Sequence, residues 1–537
     1  MSPTLSAGDD ARAEGVPDPS EPAGAVSRLI ADVVAAPSGR SSASPYETAR
    51  LVALAPWLSY HAERIRFLLA GQRVDGGWGG PEGYALVPTL SAVDGLLATL
   101  DRDAPAGWSR EGVLHAVDRS LRLLLDPLAG PAAFPTPDLP ACDLIVPALV
   151  ERIGERLADP PEELAAWRGV HPPMPAGMGR RRLDAVRRLV HSGSPVPQKL
   201  LHALEVLGPA AERLPSVVPT PPGAVGASPA ATAAWLGAPD GRRHPAVHFL
   251  DRVVADCQGP VPCATPITVF ERSWVLSTLV RAGVPVPMVT PFAAGLREAL
   301  GPEGAATGPG LPADADTTAA SLYALAAVGC PVDPSCLFRY DLGTHFCTWQ
   351  GEDGASVSTN AHVLEALGRP AGGTDVRAVS AARRVARWLL DQQRPDGSWS
   401  DRWHASPYYA TASAVSALST HAERQVAPAV ERAVDGVLES QHADGSWGRW
   451  GGTAEETAYA VQVLMAGRPR PETDVALARA VGHLQVAAAT QHPPLWHDKD
   501  LYHPPLIVRA AVVAARKLAG ERLHRVAGVG SSVPAIS

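Results

Sequence analysis

Three features of the sequence predict an all-helical fold of hairpins curled into α/α barrels. First, a turn signature recurs as QRVDGGWGG from Gln72, QRPDGSWSD from Gln393 and QHADGSWGR from Gln441. Repetition of this kind marks a chain built from one supersecondary unit used many times. Second, each copy follows an apolar helical stretch: RFLLAG, ARWLLDQ and VDGVLES. Third, helices of small residues follow, TASAVSAL from Thr411 and TAYAVQVL from Thr457, with kindred segments starting at Ala227, Asp314 and Ser356.

Each element has a physical reason. Asp and Gly in the signature suit a tight turn, and Ala and Ser let inner helices approach closely. In the second half the equivalent positions are Thr318, Asn360, Thr411 and Thr457, spaced by 42, 51 and 46 residues, which is room for two helices and two turns. Such an array closes into a barrel around a cavity, although the spacing alone also fits an open solenoid. A Pro- and Gly-rich break from Gly283 to Pro312 places a boundary near residue 280 and divides the chain into two helical halves. The Pro-rich stretch from Leu214 to Pro229 reads as a loop within a domain.

Composition narrows the function. The chain has 537 residues, 46% hydrophobic and 19% charged, ample for large cores and for more than one domain. With 47 Lys and Arg against 55 Asp and Glu, the net charge of −8 argues against a nucleic-acid partner. No apolar run reads as a membrane span, and the acidic start MSPTLSAGDDARAEG does not look like a secretory signal, so the protein is expected in the cytoplasm. Six cysteines without a CxxC pair are expected to be reduced.

The repeated Gln and Trp signature resembles that of squalene-hopene cyclases and related class II terpene cyclases. Around it stand PITVFERSWVLSTLVRAG from Pro266, DADTT from Asp314, HFCTWQGEDGASVSTNAHVLEALG from His345, DRWHASPYYATA from Asp401 and PPLWHDKDLYHPP from Pro493. In that order they resemble the landmarks of bacterial class II cyclases that act on prenyl diphosphates. The resemblance implies two α/α-barrel domains, β and γ, of the terpenoid cyclase and protein prenyltransferase type. Residues 25–40 and 281–527 would form β, residues 41–280 an inserted γ, and residues 1–24 and 528–537 disordered ends. The only DDxxxE-like string, Asp9, Asp10 and Glu14, lies in the first of these ends.

The implied reaction protonates an alkene and keeps the diphosphate. An alkene is a very weak base, so the donor must be a neutral carboxylic acid aimed at one carbon and shielded from water. Asp316 matches the family's donor and Asp314 the acid before it, close enough to share a proton. Thr317 stands where the common DxDD form has a further Asp. Taken locally, Asp316 also suits a helix N-cap.

The DxDTT variant resembles bacterial drimenyl diphosphate synthases, which implies farnesyl diphosphate as substrate and bicyclic drimenyl diphosphate as product. The alternative is geranylgeranyl diphosphate with a copalyl-type product. Trp349, Trp403, Tyr408 and Tyr409 are candidates for stabilising carbocations through their ring faces. Trp78, Trp399 and Trp447 suit packing of the repeat. His404, Asn360 and His362 can take a proton or hold a water. Lys499 and Arg402, with Arg509 behind them, are expected to meet the diphosphate. Magnesium is implied as a diphosphate partner, with Asp143, Asp138 and Glu82 as its candidate ligands. The rival readings are a zinc-dependent protein prenyltransferase subunit, for which Cys336 and Cys347 would be ligands, and a non-catalytic barrel that binds prenyl ligands.

Overall fold

A computed structural model describes residues 22–102, 107–238, 244–287, 289–368, 375–421, 425–487 and 493–530. Asp9, Asp10 and Glu14 lie outside the described residues, as does most of both expected disordered ends. Residues 22–24 open the helix Pro22–Ala35, and residues 528–530 end the helix Pro505–Gly530.

Two rings of helices surround two hydrophobic cores. In the larger ring, six inner helices follow one another: Thr268–Arg281, Ala315–Ala327, Val357–Leu367, Pro407–Leu418, Ala454–Ala466 and Pro505–Gly530. The last packs against the first, so the ring is a closed barrel. The inner helices are mostly buried, and every residue of Val357–Leu367 is buried. Outer helices carry one apolar stripe. Val376–Asp391 buries Ala378, Ala381, Ala382, Val385, Ala386 and Leu389, the spacing of a single helix face. The N-terminal helix Pro22–Ala35 joins this ring by packing on Pro505–Gly530.

The smaller ring is formed by Pro45–Leu54, Leu86–Leu100, Cys142–Ala158, the 3-10 stretch Gln198–Ala211 and Pro229–Leu236, which packs back on the first. Its core runs from Tyr46 to Val261 and takes in Leu495 and Leu501 from the far end of the chain. The other core gathers Val26 to Val33 with residues from Ala264 onward. The helix Thr268–Arg281 therefore belongs to the larger ring, whereas the sequence boundary near 280 would put it in the smaller one. Residues Glu82–Leu100, contrary to the sequence expectation, are long and apolar enough to span a bilayer, but their apolar stretch is buried inside the protein as a core helix.

The repeat is held by the same bonds each time. Gln72, Gln393 and Gln441 each donate from Nε2 to the carbonyl four residues on and to a carbonyl of the next outer helix (Ala116, Ala429, Ala476). The turn glycine is required: Gly397 has φ of +83°, and a Cβ there would lie 2.2 Å from the Arg432 carbonyl oxygen. Near the start of four of these six inner helices a side-chain oxygen accepts an amide of the chain just before the helix. Thr411 takes that of Trp399, Thr457 that of Trp447, Thr318 that of Ala305 and Asn360 that of Phe346. The four positions equated in the sequence thus do one job, since a buried amide needs a partner.

Candidate active site

The DADTT string builds a helix start. Asp314 ends a short antiparallel ladder with Ala305–Ala306 and is the N-cap of Ala315–Ala327; its Oδ1 accepts the Thr317 amide at 2.6 Å. The capping role suited to Asp316 therefore belongs to Asp314. Asp316 falls in the first turn, 8% exposed, where its carboxyl faces a large cavity. Its Oδ1 lies 2.6 Å from Nδ1 of His362, on the neighbouring inner helix. With Nδ1 protonated, His362 donates to Asp316 and fixes the carboxyl's orientation. Burial pushes the Asp314 carboxyl up to about 7, against the pull of the Thr317 amide and with the nearby Asp316 charge adding to the rise. Asp314 is therefore bonded to the Thr317 backbone, and Asp316 to His362. Thr317 is buried at the cavity edge with its hydroxyl 3.2 Å from that of Thr307.

The cavity has a volume of about 930 Å³ and lies between the two rings, lined from both. From the acid its wall is aromatic. Trp274 meets His362 edge-on at 5.1 Å, Phe270 lies 4.4 Å from Trp274, and Trp496 lies 5.6 Å from Phe270. Trp349 and Trp403, edge to face at 5.1 Å, also line it. Other candidates sit behind the wall. Tyr409 is buried and accepts the Trp274 indole N–H at 3.0 Å, so it supports the lining rather than forming it. Tyr408 packs against the larger core, outside the cavity lining. His404 is buried against Glu455 at 3.2 Å and caps Ser406 through its Nδ1. Asn360 is spent on the backbone of Phe346 and Ser356. These two are structural, each with its polar atoms satisfied inside the core.

At the rim the two rings are tied by charge. Arg402 reaches Asp138 at 2.8 Å and Glu352 at 3.3 Å. Arg182 bridges Asp143 and Asp353, both at 2.9 Å, and Lys199 donates to the Gly351 carbonyl at 3.1 Å. Arg182 and Lys199 line the rim and carry no repeat or motif that marks them in the sequence. Lys499 corrects its expectation. It is completely buried in the smaller core, held by Glu47, by Glu205 at 3.0 Å and by the Ser228 hydroxyl at 2.9 Å, over the Tyr46 ring. Two carboxylates already hold its ammonium, which leaves none of it for a diphosphate. Arg509 pairs with Asp32.

Relatives carry the same organisation. The squalene-hopene cyclase C-terminal domain family matches residues 351–498. An ent-copalyl diphosphate synthase from Streptomyces sp. (strain KO-3988) is 43% identical over 496 residues, covering 90% of this chain and 94% of that protein. A labda-7,13-dienyl diphosphate synthase from Streptomyces clavuligerus is 42% identical over 535 residues, covering 94% and 95%. This chain belongs to the class II terpene cyclases. The solved ent-copalyl diphosphate synthase from Streptomyces platensis superposes with a TM-score of 0.86 at 42% identity, covering 93% of this chain and 99% of that one.

Membership corrects the magnesium expectation, because class II cyclases begin by protonation from an acid. The carboxylates offered for the metal have other partners. Asp138 is paired with Arg402, Asp143 with Arg182, and Glu82, on the outside, with Arg449 at 3.1 Å. Among the described residues no three His, Cys, Asp or Glu side chains gather as a metal site.

Proposed function

We propose that this class II cyclase converts geranylgeranyl diphosphate into a bicyclic diphosphate of the copalyl type, with Asp316 as the acid. The observation that carries the substrate is full-length likeness, at 42–43% identity, to synthases named for bicyclic twenty-carbon diphosphates. Asp316 supplies its proton to the terminal alkene, two further double bonds close on the cation in turn, and loss of a proton leaves the new alkene. His362 holds the carboxyl while Phe270, Trp274 and Trp496 present ring faces to the migrating charge. Trp349 and Trp403 line the rest of the path, and Arg402, Arg182 and Lys199 meet the diphosphate at the rim. Asp314 and Thr317 hold the helix start that aims the acid. In domain terms, residues 25–40 with about 264–527 form β, and 41 to about 262 form γ.

One observation favours farnesyl diphosphate as a second reading, the threonine hydroxyl pair Thr317 and Thr307 where DxDD carries an acid. One assay separates the two. Purified protein is given each diphosphate separately, with Asp316→Ala alongside, and dephosphorylated products are identified by mass spectrometry. A bicyclic twenty-carbon alcohol from the wild type alone supports the proposal. A fifteen-carbon one supports the second reading, and equal cyclisation by Asp316→Ala overturns the assignment of the acid.

A further inference from the structure

Proton loss must end the reaction, and the base has to stand on the cavity wall, ionised, beyond the point where the rings close. The hairpin Trp496–His497 and Leu501–Tyr502 carries such a group at its tip. Asp498 lines the cavity two residues past Trp496, with its side chain 13% exposed. Its Oδ1 accepts the Lys499 amide at 2.7 Å and faces His202 Nε2 at 2.9 Å, while its own amide donates to Asp500. Its Oδ2 accepts no hydrogen bond among the described residues. The ring of His202 is fixed from both sides, because Nδ1 donates to the Gly226 carbonyl at 2.6 Å. Burial works against a second proton on His202, but the Asp498 carboxylate facing Nε2 outweighs it and raises the imidazole above its ordinary range. Burial works to raise the Asp498 carboxyl, but the His202 cation outweighs it and holds the group below its ordinary range.

Three other titratable groups on the wall already have partners within the protein. His497 donates from Nδ1 to the Arg402 carbonyl and accepts the Tyr84 hydroxyl at Nε2. The Cys263 thiol donates to Asp500 at 2.7 Å, and Glu352 takes the Thr348 amide and Arg402. The rim acids are paired with arginines.

We propose that Asp498, positioned by His202, is the base that terminates cyclisation. The C–H bond next to the final tertiary cation breaks, its electron pair becomes the alkene, and the proton forms an O–H bond on Oδ2. Asp498 returns that proton to solvent once product has left, and Asp316 regains one, so the cycle is proton-neutral. Both carboxylates line the one cavity, Asp316 on the helix Ala315–Ala327 bonded to His362 and Asp498 on a separate element, the hairpin tip, so acid and base are different groups on different elements.

The inference rests on Asp316 starting the reaction and is independent of chain length; the test uses whichever prenyl diphosphate the wild type cyclises. Asp498→Asn and Asp498→Ser are compared with wild type for product ratio, turnover and melting temperature. The expected result is a turnover about 10²-fold lower, with much of the remaining product diverted to a water-captured bicyclic alcohol or to isomeric alkenes. The wild-type alkene in unchanged proportion from both variants, at any speed, overturns it. Should these fail to fold, Asp498→Glu keeps the charge beside His202 and Lys499 while displacing the base by one methylene. Its product ratio is read in the same way. Absence of a twenty-carbon product from the wild type would overturn only the substrate reading, because a fifteen-carbon ratio reports on Asp498 equally.

Discussion

The Gln-Trp turns and the DADTT turn begin the same kind of inner helix and fill the start differently. In the former, Trp78, Trp399 and Trp447 are fully buried, and each indole donates at 2.7 Å to the carbonyl ten residues earlier (Leu68, Leu389, Val437). The plug is apolar and its one polar atom is satisfied. At DADTT the same threonine bond is kept, from the Ala305 amide to Thr318, but a capping aspartate replaces the plug and a second carboxyl looks into the cavity. The three Gln-Trp turns are closed by a tryptophan, whereas the DADTT turn carries an acid that faces the cavity.

The sharpest way to break that comparison is to remove the charge chemistry alone. Asp316→Asn keeps the volume and can still accept from His362, but it cannot donate an acidic proton. Cyclisation is expected to fall by about 10³-fold or more with the melting temperature nearly unchanged. Product formed per enzyme over hours, measured by mass spectrometry, checks it. A variant that loses activity and fold together would mean that Asp316 serves the helix rather than the substrate.

The smaller core offers a second contrast, a buried charge with no chemistry. Lys499 neutralises Glu47 and Glu205 across 452 and 294 positions of chain, clamping the hairpin of the larger ring into the smaller one. Lys499→Met strands two buried carboxylates and is expected to cost about 3–5 kcal/mol. The urea unfolding midpoint should therefore drop markedly. Added diphosphate should raise the midpoint of the variant by as much as that of the wild type, whereas a ligand role for Lys499 would abolish that rise in the variant.

Much of this was legible in the sequence. The repeat, the helix starts and the acid pair are local patterns, and the residues at the four equated positions do share a bond. Trp349 and Trp403, both candidates in the sequence, do line the cavity, whereas Tyr408 and Tyr409 do not. What was hidden depends on contacts far apart in sequence. His362 reads as one histidine on an apolar helix until that helix is set beside Ala315–Ala327. Lys499 and Asp498 are neighbours in one landmark, yet only the packing of that hairpin on the smaller ring decides which is buried and which meets the cavity. Arg182 and Lys199 have no local signature at all, being placed by the rim.

A finer cut separates the shared bond from the differing occupant. Thr411→Val and Thr318→Val each leave one buried amide without an acceptor, at about 1–3 kcal/mol. The two losses in thermal stability should be alike. Only Thr318→Val is expected to slow cyclisation as well, because its helix aims Asp316. Equal kinetic effects from both would mean the turns are not functionally distinct.

The smallest effect comes from the cap. Asp314 titrates near 7 in the folded protein against an ordinary 3.8, because burial disfavours its charge. Between about pH 4 and 7 the folded state therefore holds a proton that the unfolded chain has released, so stability falls as pH rises through that window and is flat in this respect above it. Glu271, raised to about 7 by burial, slopes the same way, so Asp314→Asn should reduce the slope of melting temperature against pH without abolishing it. Asparagine keeps the cap, so the helix start survives the change. No substitution in a tryptophan turn should change that slope, since those turns carry a plug instead of a charge.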